Sequence, residues 1–145
     1  MSAIVDLLGS EVESKDGKVQ VSSFCGAGKV VGLYFSAHWC PPCRGFTPQL
    51  VEFYNTVKAA GKEFEIVFIS SDRDTKSFEG YFKEMPWKAL PFDDREKKEE
   101  LSEKYGVRGI PTFIILDGNT GDVITGDGRS NVMKDPTGAN FPYRQ

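Results

Sequence analysis

Trp39-Cys40-Pro41-Pro42-Cys43-Arg44 is the stretch on which the reading of this chain turns. A near-continuous apolar run, Val30 to Phe35, leads into the two cysteines, and a helix-like pattern from Cys43 to about Ala60 leads away. The run lacks polar alternation, as expected of a strand buried on both faces. Leu50, Phe53, Tyr54 and Val57 recur at helical spacing, with Gly61 as the stop. A strand feeding a helix puts the cysteines at the helix N-terminus, where unpaired N–H groups and the positive end of the macrodipole favour an anion. A thiolate is such an anion, and it is the nucleophile of disulfide exchange. Cys40, first of the pair and nearer solvent, is the expected nucleophile. Cys43, one turn on and more shielded, is expected to resolve the mixed disulfide. Pro41 and Pro42 suit a helix start but carry no N–H. The donors left for a thiolate are those of Cys43 and Arg44, which predicts a reducing rather than a strongly oxidising pair. The Arg44 charge adds to the positive surroundings, and Trp39 reads as a flat lid beside the sulfurs.

The chain has 145 residues, the length of a single domain spanning 1–145. Its net charge is −3 with both signs interspersed, so no basic stripe points to nucleic acid. No apolar run approaches the roughly 20 residues of a membrane helix. Neither the first residues nor the last four, Pro142-Tyr143-Arg144-Gln145, read as a secretory or retention signal. The expectation is a monomeric cytoplasmic protein, with the nucleus left open. In a reducing compartment a C-x-x-C pair reads as redox chemistry rather than a structural framework. Cys25 reads as a partly buried small residue without a redox role, and His38, the only histidine, as an exposed loop residue.

Along the chain, Ile4 to Leu8 suggests a short helix turned inward through Leu7 and Leu8. Glu11 to Val21 suggests a hairpin around Asp16-Gly17, with Val12, Val19 and Val21 facing in. Phe64 to Ser70 is a second buried strand. Thr75 to Glu84 reads as an amphipathic helix through Phe78, Tyr81, Phe82 and Met85, and Asp93 to Tyr105 as a charged surface helix. Thr112 to Leu116 and Val123 to Thr125 form a closing hairpin, and the Gly/Asp/Pro-rich tail from Gly126 is too broken for a long helix. The order gives an α/β fold: one central mixed sheet with helices on both faces and an N-terminal hairpin.

The segment Tyr34 to Pro48, together with Met85-Pro86-Trp87, Gly109-Ile110-Pro111-Thr112 and the tail from Asp135-Pro136 to Phe141-Pro142, resembles the tryparedoxin and nucleoredoxin branch of the thioredoxin superfamily. The resemblance implies a thioredoxin fold. It implies a cis Pro111 facing the active disulfide, Ile110 offering its main chain to an extended substrate, and Pro48 as the helix-kinking proline. Thioredoxins carry a buried carboxylate where this chain has Tyr34, as tryparedoxins also do; the proton route then falls to the Tyr34 hydroxyl, a water or another acid. Tryparedoxins tend to have Trp-Asp-Glu where this chain has Ser71-Asp72-Arg73, which is closer to nucleoredoxin. The implied function is a thiol–disulfide oxidoreductase that cycles a Cys40–Cys43 disulfide without a bound cofactor. Peroxiredoxin-type peroxidases are implied as acceptors. The implied donor is either a low-molecular-weight dithiol of the trypanothione or glutathione type or a flavoprotein of the thioredoxin-reductase kind.

Two rivals bound this reading. Cys25, His38, Cys40 and Cys43 could make four zinc ligands, but there is no second C-x-x-C and no spaced histidine pair, so no metal is expected. Alternatively Trp39, Trp87 and Pro111 form a surface that holds partners and releases them on oxidation, with little turnover, as in a nucleoredoxin-like binding module.

Overall fold

The computed structural model describes residues 3–144. Ala3–Leu8 form α1, Glu11–Ser14 and Gly17–Gln20 the hairpin strands β1 and β2, and Val30–Ser36 the strand β3. Pro41–Ala59 form α2, Phe64–Ser70 β4, Thr75–Phe82 α3, and Lys88–Ala89 β5. Arg95–Lys104 form α4, Thr112–Asp117 β6, Val123–Thr125 β7 and Gly128–Lys134 α5. The strands make one mixed sheet in the order β2-β1-β5-β4-β3-β6-β7. β3 runs parallel to β4 and antiparallel to β6, so it lies inside the sheet.

Every residue of β3 and of β4 is buried, which is what their unbroken apolar runs require. Side chains alternate between two cores. Tyr34, Ile66, Phe68 and Phe113 pack with α2, α3 and Val132 of α5. Val31, Leu33, Phe35, Val67 and Ile69 pack with Ile4 and Leu8 of α1 and Leu101 of α4. This is the thioredoxin fold, with helices on both faces and the expected N-terminal hairpin. The tail closes in the seven-residue α5, not a long helix.

Several expectations need correction. α2 starts two residues early, at Pro41, because both prolines already have the φ a first turn needs; it runs through Pro48 to Ala59. Leu7 is only half-buried, and Ile4 takes the inward position beside Leu8. Trp87 is not part of a partner surface. It is 1% exposed and packs edge-on against Tyr34 and Tyr54 in the α2-side core. β5, which follows directly, is too short to leave a period in the sequence.

Candidate functional site

Cys40 is the N-cap of α2, in extended conformation with φ −96° and ψ 109°. With Pro41 and Pro42 at the first two helical positions, the first free donor is the N–H of Cys43, which donates to Cys40 Sγ at 3.4 Å. The next, of Arg44, donates to the Cys40 carbonyl at 3.1 Å. The Arg44 N–H, expected to be left for the thiolate, is thus taken by the first intrahelical bond, and of the two expected donors only the Cys43 N–H reaches the sulfur. Both cysteines are thiols here. Cys40 is 5% exposed and Cys43 fully buried, the expected order, although both are well covered.

The peptide bond Ile110–Pro111 is cis, as the resemblance implied. The Ile110 carbonyl faces the pair: Cys40 Sγ donates to it at 3.8 Å, and the Ile110 side chain packs on Ala37, Cys40 and Cys43. Trp39 is half exposed, and its Nε1 donates to the Ser71 carbonyl at 2.9 Å. Arg73 lies over the Trp39 ring, 5.2 Å from its centroid. The loop before Cys40 is fixed by Asp72, a buried carboxylate that accepts the His38 N–H at 2.8 Å and the Ser70 hydroxyl at 2.7 Å. The His38 ring is exposed, 5.5 Å from that of Tyr81.

Behind Cys43 lies a cluster of buried hydroxyls of which sequence reading singled out only that of Tyr34. Thr47 Oγ1 donates to the Cys43 carbonyl at 2.9 Å, so its lone pairs accept from Tyr34 Oη and Tyr81 Oη, each at 2.6 Å. Tyr81 Oη is 2.9 Å from Ser36 Oγ. Tyr34 Oη lies 3.4 Å from the Cys43 carbonyl. Burial holds the Tyr34 and Tyr81 hydroxyls above their ordinary pKa, so both stay neutral. Burial, and after it the hydrogen bond to Cys40, pushes the Cys43 thiol up to about 11, while the Ser36 hydroxyl and the Ala37 backbone favour its thiolate. The sequence marks its members only singly: Ser36 ends an otherwise apolar buried strand, and Thr47 and Tyr81 lie on the inward faces of α2 and α3. Cys25 packs in the other core, with Val12, Val21 and Leu90, so the structure does not bring together the four ligands a zinc site would need. No group of His, Cys, Asp and Glu among the described residues could hold a metal.

The site thus comprises a helix-capping cysteine, a second cysteine buried behind it and a cis-proline loop across from both. The thioredoxin-like family model matches residues 28–123. The chain belongs to the thioredoxin-like family. Tryparedoxin of Trypanosoma brucei brucei is 51% identical over 130 residues, covering 90% of this chain and 88% of that protein. A solved tryparedoxin from Trypanosoma brucei superposes with a TM-score of 0.93 at 47% identity over 100% of both chains. Mouse nucleoredoxin is 53% identical over 116 residues, but the chain spans only 26% of its length. A tryparedoxin II solved in complex with glutathionylspermidine matches with a TM-score of 0.92 at 38% identity, over 99% of this chain and 100% of that one. As a thioredoxin-like chain of the tryparedoxin and nucleoredoxin branch, this protein is a thiol–disulfide oxidoreductase of the thioredoxin family, with Cys40 and Cys43 as its redox pair.

Proposed function

We propose that the protein is a dithiol electron carrier that reduces protein disulfides, with peroxiredoxin-type peroxidases as acceptors. The observation that carries this is the placing of Cys40 Sγ: at the tip of α2, accepting the Cys43 N–H and facing the Ile110 carbonyl. Cys40 attacks one sulfur of the substrate disulfide and forms a mixed disulfide, expelling the other substrate sulfur as a thiolate. Cys43 then attacks Cys40 Sγ, and the bond pair of the mixed disulfide leaves with the second substrate sulfur. Two electrons have passed to the substrate, and Cys40–Cys43 is a disulfide. Ile110, with Pro111 behind it, offers main-chain groups to an extended substrate segment, a mode that reads backbone more than side chains. Trp39 shields one side of the sulfurs. A low-molecular-weight thiol or a flavoprotein reductase restores the dithiol. The proposed setting is a cytoplasmic monomer.

Replacing Cys43 with Ser tests the reading. With no resolving thiol, Cys40 should remain bonded to its clients, and mass spectrometry of the species trapped from an extract should include a peroxiredoxin-type peroxidase. If small disulfides load Cys40 but no protein is trapped, the carrier role is wrong. A second reading, a redox-sensitive binding module, draws support from the exposed Trp39 stacked by Arg73. Cys40-dependent turnover on insulin disulfides separates the two, because a pure binding module would show none.

A further inference from the structure

We propose that the small thiol exchanging with Cys40 is an anionic peptide thiol of the glutathione class, selected over polyamine-conjugated thiols by Arg73 and Arg108. The inference rests on the redox role of Cys40 and adds the chemistry of its small partner. The chain as a whole is acidic, with net charge −3, yet the surface around Cys40 is not. Arg44 is exposed beside Cys43, and Arg73 lies on Trp39. Arg108 lines a cleft of about 310 Å³ with Trp39, Ser71, Lys98, Glu99 and Ile110, the residue whose carbonyl faces Cys40. None of the three arginines forms an ion pair among the described residues.

Three carboxylates at the same end have partners. Asp72 is buried under the His38 N–H and the Ser70 hydroxyl. Asp74 caps α3 through the Ser77 N–H, and Glu99 pairs with Lys98 at 3.0 Å. Guanidinium groups with no internal carboxylate partner, beside a cleft of tripeptide size, fit a ligand that brings carboxylates of its own. Glutathione has one at each end. A spermidine-bearing thiol would instead set ammonium groups against arginines.

The exchange balances within the proposed cycle. A glutathione thiolate attacks Cys40 Sγ of the Cys40–Cys43 disulfide, and the bond pair leaves on Cys43, which takes a proton. A second glutathione thiolate attacks the glutathione sulfur of the mixed disulfide and expels Cys40 as thiolate. Two thiols have become one glutathione disulfide, and two electrons have entered the protein.

The experiment follows reduction of the Cys40–Cys43 disulfide by stopped flow with glutathione, its diethyl ester, glutathionylspermidine and the neutral dithiothreitol. Each rate is divided by the dithiothreitol rate, which cancels changes in Cys40 itself. Exposed charge pairs contribute about 1.5- to 5-fold each. The glutathione ratio should exceed the diester ratio, and should fall about 3- to 10-fold in the Arg73→Glu/Arg108→Glu double variant. The glutathionylspermidine ratio should rise in that variant, and high salt should compress both differences. The inference is overturned if the ratios do not move with ester, variant or salt, or if glutathionylspermidine is the faster donor to the unaltered protein. Failure of dithiothreitol to reduce the pair would instead sink the redox role, and the selectivity with it.

Discussion

Removing the Ser36 hydroxyl should slow the resolving step of the proposed cycle and leave the first attack intact. Cys43 must lose its proton to attack Cys40, and burial makes that costly: its pKa is pushed from 9.0 up to about 11. In the mixed disulfide Cys40 is no longer a thiol, so its two upward influences vanish while burial remains. The Ser36 hydroxyl is the main group pulling the other way. A hydrogen bond to a charged group is worth about 1.5–3 kcal/mol, so Ser36→Ala should make the Cys43 thiolate roughly 10- to 100-fold rarer. A more basic thiolate is also a better nucleophile, with a Brønsted coefficient of about 0.4–0.5, which recovers about half the loss. The net expectation is resolution about 3- to 10-fold slower at neutral pH. Excess reduced protein mixed with Ellman's reagent releases one nitrothiobenzoate on attack by Cys40 and a second on attack by Cys43. The second phase should climb about tenfold per pH unit below the Cys43 pKa, and Ser36→Ala should displace that limb to higher pH. An unmoved second phase would refute the assignment. So would equal slowing of both phases, which would mean general damage to the site.

Thr47→Val keeps shape but removes the hydroxyl to which Tyr34 and Tyr81 both donate; with Tyr81 keeping Ser36 and Tyr34 keeping only its 3.4 Å approach, urea unfolding should show a loss of about 2–3 kcal/mol. Pro42→Ala returns an N–H to the first turn of α2 beside the Cys40 sulfur; by stabilising the reduced form it should raise the reduction potential, measured against glutathione, by up to about 30 mV, and an unchanged or lower potential would contradict the donor count. On the acid side, Asp117 and Asp135 have pKa values lowered, first of all by main-chain N–H groups of Thr120 and of Asn140 respectively. Depressed carboxylates contribute stability that is full above their unfolded value of about 4 and is lost as pH falls through the folded one. The Asp117→Asn/Asp135→Asn variant should therefore be less stable at neutral pH and lose less on acidification; parallel pH–stability curves for the variant and the native protein would refute this.

The parts of the fold that were legible are those in which local pattern and tertiary burial agree. The runs Val30 to Phe35 and Phe64 to Ser70 have no polar alternation because both faces are covered, and that alone set them at the sheet centre. The hairpin Asp16-Gly17 and the helix stop at Gly61 carried their own turn chemistry. Trp87 was misread because a tryptophan after Met-Pro looks the same whether a helix covers it or solvent does. The covering groups, Tyr34 and Tyr54, come from elements far away in the chain. β5 was missed because two residues carry no period; it exists through its neighbours, pairing with β4 on one side and β1 on the other. Asp72 stands in the polar run Ser71-Asp72-Arg73-Asp74 after a buried strand, and in such a run nothing marks which carboxylate folds inward. At the site, the cysteines, the prolines between them and Ile110-Pro111 were legible because their chemistry is local or carried by a motif. The hydroxyl cluster was not, since Ser36, Thr47 and Tyr81 meet only once β3, α2 and α3 are packed.

That cluster also bears on how a pair of thiols can be worked without a buried carboxylate. An ionised acid behind Cys43 would need a counter-charge or would stand unpaired in an apolar core, at a cost of several kcal/mol. Tyr34 fills that place with a neutral group whose hydroxyl is satisfied by Thr47. Thr47 gives its only proton to the Cys43 carbonyl and Tyr81 gives its own to Thr47, so the one hydroxyl free to reorient is that of Ser36. Toward Tyr81 it completes the chain and leaves a lone pair for the neutral Cys43 thiol. Turned toward sulfur it donates to the thiolate, while Tyr81 keeps its bond to Thr47. A change of charge at Cys43 would then be met by rotation of one hydroxyl, with no second buried ion to create or neutralise. The arginines stand at the rim, where Arg44, Arg73 and Arg108 meet solvent and the incoming partner. On this division rim substitutions should alter which thiols react, and substitutions in the hydroxyl cluster should alter how fast the mixed disulfide resolves.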